Sequence, residues 1–440
     1  MLSFRREGGT VARWASQQWQ SMVEGMPRRD RMSGPYRAYV PDLLRARPLV
    51  LSAELDARIA RTEREVHALQ LGQHAADVTG LSHFLLRSEA IASSYIEGVT
   101  PAARRVAEAE LELAEGRPAT DQSAGAVARN ATIIKQAISR LAMAEAITRA
   151  DIVELQSALL AEQPDLQGVR HTQNWVGGSK YHPLTAAFVP PPPAEVPALL
   201  DDLAAYLSGA AHGMLVQAAL AHAQFETIHP FPDGNGRVGR ALIHTVFARR
   251  TPGGASVLPV SLILATFSQR YEAALTAYRY DGAPTSKAAT AGVQAWLEFF
   301  CDTVMAACSE VKRLGEEMAQ VRAEWDDRLA AHRAAADRKR ALRADSAEAR
   351  VLAGLPGTPV LTIATAQQLY DISDKSAASA LRELTAAGIL TETGRQRGRS
   401  WFAATDVLDL VTITEHRLAS TRFNTAASAP HRPVPAPPSP

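Results

Sequence analysis

Residues 229–240 read His229-Pro230-Phe231-Pro232-Asp233-Gly234-Asn235-Gly236-Arg237-Val238-Gly239-Arg240. The run Phe225-Glu226-Thr227-Ile228 ahead of them reads as the end of a helix, and a second helix opens near Gly236. A residue before proline is pushed away from helical backbone angles, so His229 and Phe231 are both expected in extended geometry. The first helix must therefore stop at His229 and present its imidazole at a stiff exit. Gly234-Asn235-Gly236 permits positive φ and close backbone approach. A turn of that kind opening a helix gathers free N–H groups and the positive end of the helix dipole, which makes an anion site.

Arg237 and Arg240 are three apart, so they share a helix face and can both reach a polyphosphate. Asp233 stands beside the turn and could hold Mg²⁺, an ion usually bound through few carboxylates plus substrate phosphates. Taken singly, a histidine before proline or an Asp-Gly-Asn-Gly turn is most often structural. Eight specified residues in this order recur by chance on the order of once per 10¹⁰ positions, and that decides for chemistry. A base, a carboxylate, an anion cradle and two arginines together read as a phosphate-transfer site.

These residues match the signature of the Fic (Fido-domain) family, His-x-Phe-x-Asp/Glu-Gly-Asn-Gly-Arg-x-x-Arg, at every defining position. The resemblance extends upstream through Ala-His-Ala-Gln-Phe-Glu-Thr-Ile, through Gly168-Val169-Arg170 with Gln173 to Gly178, and through Phe188 with the prolines after it. It covers roughly residues 36–305 and loosens after Leu258-Pro259. The resemblance implies a mainly α fold: a Fic-type helical bundle with a small β-hairpin flap. It implies protein adenylylation, the transfer of AMP from ATP to a hydroxyl of a target protein, with the chain itself among the targets. His229 would be the general base, Asp233 would hold Mg²⁺, and the backbone at Gly234, Asn235 and Gly236 would stabilise phosphate charge. Asn235 would orient the α-phosphate, Arg237 would meet the β- and Arg240 the γ-phosphate. The flap around Val176, Gly177, Gly178 and Phe188 would pin the target chain as an added strand. The phosphorylating Doc-type members carry lysine where this chain has Gly236, which argues for AMP transfer.

A second run, Ser93-Ser94-Tyr95-Ile96-Glu97-Gly98, ends a predicted helix. Gly98 reads as the glycine just past that helix, with Thr100 and Pro101 as N-cap and first residue of the next. Glu97 then sits in a last turn, where the dipole disfavours a carboxylate by about 0.3–1 kcal/mol. The run is similar to the Fic inhibitory motif Ser/Thr-x-x-x-Glu-Gly/Asn. That resemblance implies a self-inhibited member in which Glu97 pairs with Arg240 and Ser93 anchors the inhibitory helix. A related expectation is that Glu97 positions water to remove AMP from modified targets.

Outward from these motifs, 440 residues predict two to four folded units. Lys+Arg 47 against Asp+Glu 46 gives a net charge of +1, which excludes a globally basic nucleic-acid coat. Two cysteines, Cys301 and Cys308, cannot staple such a chain; they read as core residues of a protein in the reducing cytoplasm. The N-terminus lacks the apolar core of a signal peptide, and no 18-residue apolar run occurs, so no membrane is expected.

Residues 1–34 are expected as a flexible arm, and 35–118 as a helical region holding the inhibitory helix. The catalytic core is placed at 119–305, with strand confined to about 174–190. Helices are expected near 52–71, 82–97, 101–115, 123–145, 150–161, 195–208, 213–228, 236–250, 258–280 and 287–307. A connector helix over 306–350 looks solvated, with too little apolar surface for a core. Residues 351–415 read as a separate winged helix-turn-helix domain, with helices at 365–371 and 374–387 and a basic hairpin at Gly394 to Ser400. The Pro-rich tail 416–440 is expected to be disordered. The hairpin leaves an alternative open: a DNA-binding regulator, contacting DNA through 365–402, with a residual nucleotide-binding Fic core. Relatives of this class also suggest a homodimer.

Overall fold

The computed structural model describes residues 11–21, 25–45, 47–71, 75–251, 257–338, 342–396 and 399–410, with backbone alone at 70–71, 75–81, 393–396 and 399. The expected tail and the hairpin tip at Arg397-Gly398 lie outside the described residues. The chain begins with strands β1 (Arg13–Trp19) and β2 (Gly34–Val40), then helices α1 (Ala53–Leu71), α2 (Ala75–Ile96) and α3 (Ala103–Ala114). It continues through α4 (Gln122–Met143), α5 (Arg149–Leu159), α6 (Val196–Ser208), α7 (Met214–Ile228) and α8 (Asn235–Arg250). Next come α9 (Val260–Thr266), α10 (Ser268–Tyr278), α11 (Lys287–Ala335) and α12 (Ala347–Gly354). Strand β3 (Val360–Leu361), α13 (Ile363–Tyr370), α14 (Asp374–Ala386), β4 (Thr391–Gln396) and β5 (Arg399–Ala403) follow. The chain divides into two units: residues 1–67, 133–255 and 269–305, and residues 68–132, 256–268 and 306–440.

In the first unit, α7 is buried along its whole length. A helix apolar or satisfied on most sides belongs in a core, and several of its polar residues find partners. His222 Nε2 meets Tyr271 Oη at 2.9 Å, Gln217 Nε2 donates to Tyr206 O at 2.7 Å, and Thr227 Oγ1 donates to Ala223 O at 2.7 Å. Trp296, itself fully buried, donates to Ala219 O at 2.8 Å and stacks on His222. Antiparallel to α7 runs α8, with α6 on α7 and α5 beside α6. The close approach needs Gly239, where a Cβ would sit 2.5 Å from Glu226 Oε1 and 3.1 Å from Phe225 Cδ1.

Residues 11–21 depart from the expected arm. Arg13–Trp19 pairs antiparallel with β2 from Arg13↔Val40 to Trp19↔Gly34. Ala12 bridges to Gly282, and Trp19 meets the Trp175 ring edge-on at 5.3 Å. This strand was not expected from the sequence because its Arg, Ser and Gln residues leave no run of apolar residues. The strand expected over 174–190 is, conversely, a single bridge between Val176 and Phe188 with a short 3-10 turn at Pro183–Thr185. Glycine and proline there leave too few residues that can pair.

In the second unit, α2 packs on α9, where the Glu89 carboxylate takes the Ser261 N–H at 2.8 Å and its hydroxyl. Gly98 adopts φ +83 as expected for the residue past α2. The next helix starts later than read, however: Ala102, not Thr100, is its N-cap, without a side-chain bond. The helix expected over 258–280 is two, α9 and α10, parted at Phe267 (φ −108, ψ 38). Strands β3, β5 and β4 form an antiparallel sheet in that order. Among the described residues of this part, Val360, Trp401, Ala403 and Leu408 bury with Ala107 and Leu111 of α3.

The connector is also not what the sequence suggested. Helix α11 runs unbroken through residue 306, and Val311, Leu314, Met318, Trp325 and Leu329 are all buried. Trp325 Nε1 donates to Asp406 at 2.8 Å, and Arg333 pairs with Glu383 at 2.8 Å. Cys301 and Cys308 are buried in α11, in keeping with a core role. No described helix is long and apolar enough to cross a membrane.

Candidate active site

His229 ends α7 in the left-handed region, at φ +46 and ψ +60, with its N–H on Phe225 O at 2.9 Å. The extended geometry expected before Pro230 is therefore wrong. Such a backbone costs roughly 1–2 kcal/mol for a residue with a Cβ, and persists only where the surroundings enforce it. The enforcement is Arg170, which is 2% exposed. Its Nε donates to His229 O at 2.9 Å, its Nη2 to Pro191 O at 2.6 Å, and its own N–H to Pro230 O at 3.0 Å. Asn174 Nδ2 adds bonds to His229 O at 3.2 Å and Phe231 O at 3.0 Å.

The imidazole is 22% exposed, with Nδ1 buried, unpartnered among the described residues and 3.9 Å from Glu226 Oε2. Its open edge is thus the Nε2 side. Burial, then the charges of Arg170 and Arg279, push its pKa down to about 4, so at neutral pH it holds a free lone pair. His222, fully buried, is pushed down to about 3 by the same loss of water. Between pH 6.5 and those values the unfolded chain binds protons that the folded chain refuses, so stability falls as pH drops through that window. At pH 5 the loss is roughly 2 kcal/mol per histidine. Thermal melts at pH 7 and 5 should show a smaller acid-induced drop in His222→Phe than in the wild type; an equal drop would refute this account.

Across the turn, Gly234 takes φ +83 as the N-cap of α8. Asp233 Oδ1 accepts the Gly234 N–H at 2.6 Å. The first N–H groups of α8, at Asn235 and Gly236, have no acceptor within the helix by geometry. Asn235 is 4% exposed and grips Phe231 twice: Oδ1 accepts its N–H and Nδ2 donates to its carbonyl, each at 2.9 Å. That side chain shapes the turn first. Gln156, unforeseen in the sequence, ties α5 to the turn through Asp233 O at 3.1 Å and Leu166 O at 2.8 Å.

Arg237 is 15% exposed, and its Nε is buried with no partner among the described residues. Its Nη2 stands 3.5 Å from Asp233 Oδ2. An orphaned guanidinium nitrogen beside a helix N-terminus fits an anionic ligand such as a triphosphate. Arg240 is buried one turn further along α8. The half-exposed Asp233 carboxylate suits a cation that takes its other ligands from phosphates and water. Among the described residues, no cluster of three His, Cys, Asp or Glu offers an all-protein metal site.

Val176 is 42% exposed, but its N–H and carbonyl already pair with Phe188 and Ala187. Phe188 is buried with Tyr39 and Tyr280, under the Arg279 guanidinium at 3.5 Å, so it roots the flap rather than offering a surface. Gly177 and Gly178 follow at φ +72 and +74. In the second unit, Ser93 is buried in α2 and Glu97 is exposed in the turn after it.

Comparison with known proteins bears on the same stretch. Residues 146–247 match the Fic/DOC family. The matched stretch contains α5 to α7, the whole turn and α8 as far as residue 247. A probable protein adenylyltransferase of Aquifex aeolicus (strain VF5) is 45% identical over 62 residues, 14% of this chain and 19% of its own length. The protein adenylyltransferase Fic of Drosophila grimshawi is 36% identical over 108 residues, 23% of this chain and 20% of its own. The alignments thus span about a fifth of these relatives. A solved Fic family protein from Desulfovibrio desulfuricans G20 has a TM-score of 0.48 and 19% identity, covering 81% of this chain and 98% of that one.

Proposed function

We propose that the chain is a protein adenylyltransferase that moves AMP from ATP to a side-chain hydroxyl of a target protein. The observation that carries this reading is the neutral His229, locked by Arg170 at the end of α7 opposite the donor-rich start of α8. The Fic/DOC match over 146–247 and the adenylyltransferase names of the relatives support it.

In this mechanism the target oxygen attacks the α-phosphorus, the bond to the β-phosphate oxygen breaks, and pyrophosphate leaves. The hydroxyl proton goes to His229 Nε2, the exposed edge of the ring. A pKa near 4 suits the resting enzyme poorly as a base, but a bound triphosphate would offset the Arg170 and Arg279 charges and raise it. Arg237 would meet the β-phosphate through its orphaned Nε, and Arg240 the γ-phosphate. The N–H groups of Asn235 and Gly236 would stabilise charge on the phosphates as it develops. Mg²⁺ held by Asp233 would neutralise phosphate charge. The exposed glycine-rich flap after Val176 would align the target backbone.

We further infer self-inhibition by Glu97, with Ser93 fixing the end of α2. Glu97→Gly is expected to raise self-labelling from radiolabelled ATP on the order of tenfold, the scale of a typical coupling between sites. Labelling no faster than wild type would remove Glu97 from the mechanism. The winged helix read from the C-terminal sequence we assign to targeting or regulation. The DNA reading gains little from α14, where Asp374 and Glu383 balance Lys375 and Arg382. The transfer itself is tested by mass spectrometry after incubation with ATP and Mg²⁺: an AMP adduct supports it, and a phosphate adduct or none overturns it.

A further inference from the structure

The flap does not stand alone. His182, which is 1% exposed, donates from Nε2 to the main-chain carbonyl of Arg29 at 2.9 Å. Trp175, near the start of the flap, meets Trp19 edge-on, and a Cβ on Gly34, the first residue of β2, would touch Leu184 Cδ1 at 3.8 Å. The connection between β1 and β2, with its 3-10 turn at Arg28–Asp30, is thereby held against the flap, and all of these residues belong to the first unit.

Two kinds of side chain reach the surface there. Arg28, Arg29, Arg31 and Lys180 are all exposed. Asp30 is the one carboxylate within residues 25–33 and 176–188, and it stands 3.6 Å from Arg29 Nε. Because Arg29 meets the flap through its main chain, its guanidinium stays in solvent, 85% exposed. The same two segments also expose Met32, Val176 and Tyr181, at 42%, 42% and 36%. Arg, Tyr and Met are residue types that protein interfaces favour. A phosphate backbone would use the cations and leave Met32 and Val176 idle, whereas a neutral peptide would leave the arginines facing water. A peptide that carries carboxylates uses both.

We propose that the Arg28–Arg31 turn and the flap form one docking surface for an acidic segment of the target protein. Carboxylates flanking the hydroxyl to be modified pair with Arg28, Arg29, Arg31 and Lys180, while apolar parts of the segment cover Met32, Val176 and Tyr181. Exposed ion pairs are individually weak, so this surface selects among targets more than it grips any one of them. The proposal rests on the flap being where the target lies. Its test reads binding without transfer, so it and the adenylyltransferase reading can fail separately.

The test is fluorescence anisotropy of the full-length chain with a labelled tyrosine peptide flanked by glutamates. The same peptide flanked by lysines and an oligothymidine are the comparison probes. The glutamate peptide should bind about tenfold more tightly than the lysine peptide, the combined effect of a few exposed ion pairs. That margin should shrink as added salt brings the screening length below about 10 Å. Arg28→Glu, Arg29→Glu and Arg31→Glu, made together, change exposed side chains only and leave the Arg29 carbonyl to His182; they should reverse the preference. Lysine at the same three positions keeps the charge and should keep the preference. No binding of the glutamate peptide by the wild type, equal binding of the two peptides, a preference unmoved by the three glutamates, or oligothymidine bound as tightly as the glutamate peptide would each overturn the proposal. Binding with the expected preference but without AMP transfer would leave the docking surface standing and count against the transfer reading alone.

Discussion

His229→Ala should abolish transfer while leaving the fold intact. General-base catalysis is worth about 10²–10⁴-fold, and no other described imidazole stands at the turn, so labelling should fall by at least two orders of magnitude. Stability should move the other way. Residue 229 sits at φ +46, and the Nδ1 atom of its ring is buried without a hydrogen-bond partner among the described residues. His229→Gly removes the backbone penalty as well and should melt above His229→Ala by about 1 kcal/mol. Activity surviving in either variant would mean that the proton leaves by another route. A His229→Gly melting point below that of His229→Ala would mean that the left-handed turn is not strained.

Arg170→Met is expected to have the second largest effect, and on a different quantity. The guanidinium donates to carbonyls of residues 191, 228 and 229 from a site sealed against water. Methionine keeps the volume and removes every donor. Hydrogen bonds from a charged group contribute about 1.5–3 kcal/mol each, so losing the two shortest should cost about 3–5 kcal/mol. Urea unfolding would show this as a lower midpoint at an unchanged slope. Transfer should fall as well, because the peptide that aims His229 loses its anchor. Arg170→Lys should recover little, since one ammonium cannot span carbonyls held by a planar fork. A midpoint within experimental scatter of the wild type would show that Arg170 is not the lock.

The positions of α5 to α8 and the turn between the last two were legible in the sequence because prolines and glycines punctuate them. Proline bias alone, however, misjudged His229: the local preference for extended backbone lost to bonds from Arg170, 59 residues earlier in the chain. Nothing in the spacing of Gly168-Val169-Arg170 reveals where that side chain goes. Gln156 and Arg279 were invisible for the same reason, as each acts through a contact made only after folding. The second half of α11 was misread for a different reason. Its large apolar residues are few, but they fall at 311, 314, 318, 325 and 329, which is one face of a helix. Counting composition hid what periodicity would have shown. The strand at Arg13–Trp19 escaped because a half-exposed edge needs few apolar residues to pair.

The wholly buried α7 has one more consequence. Local opening reaches frayed ends and exposed loops first, and a helix enclosed on every side parts only when the surrounding body comes undone. The His229 ring is therefore fastened to a helix that should open late. Heat should leave no long-lived species that is shapely yet inert: the capacity to react and the fold that hosts it should perish in one event.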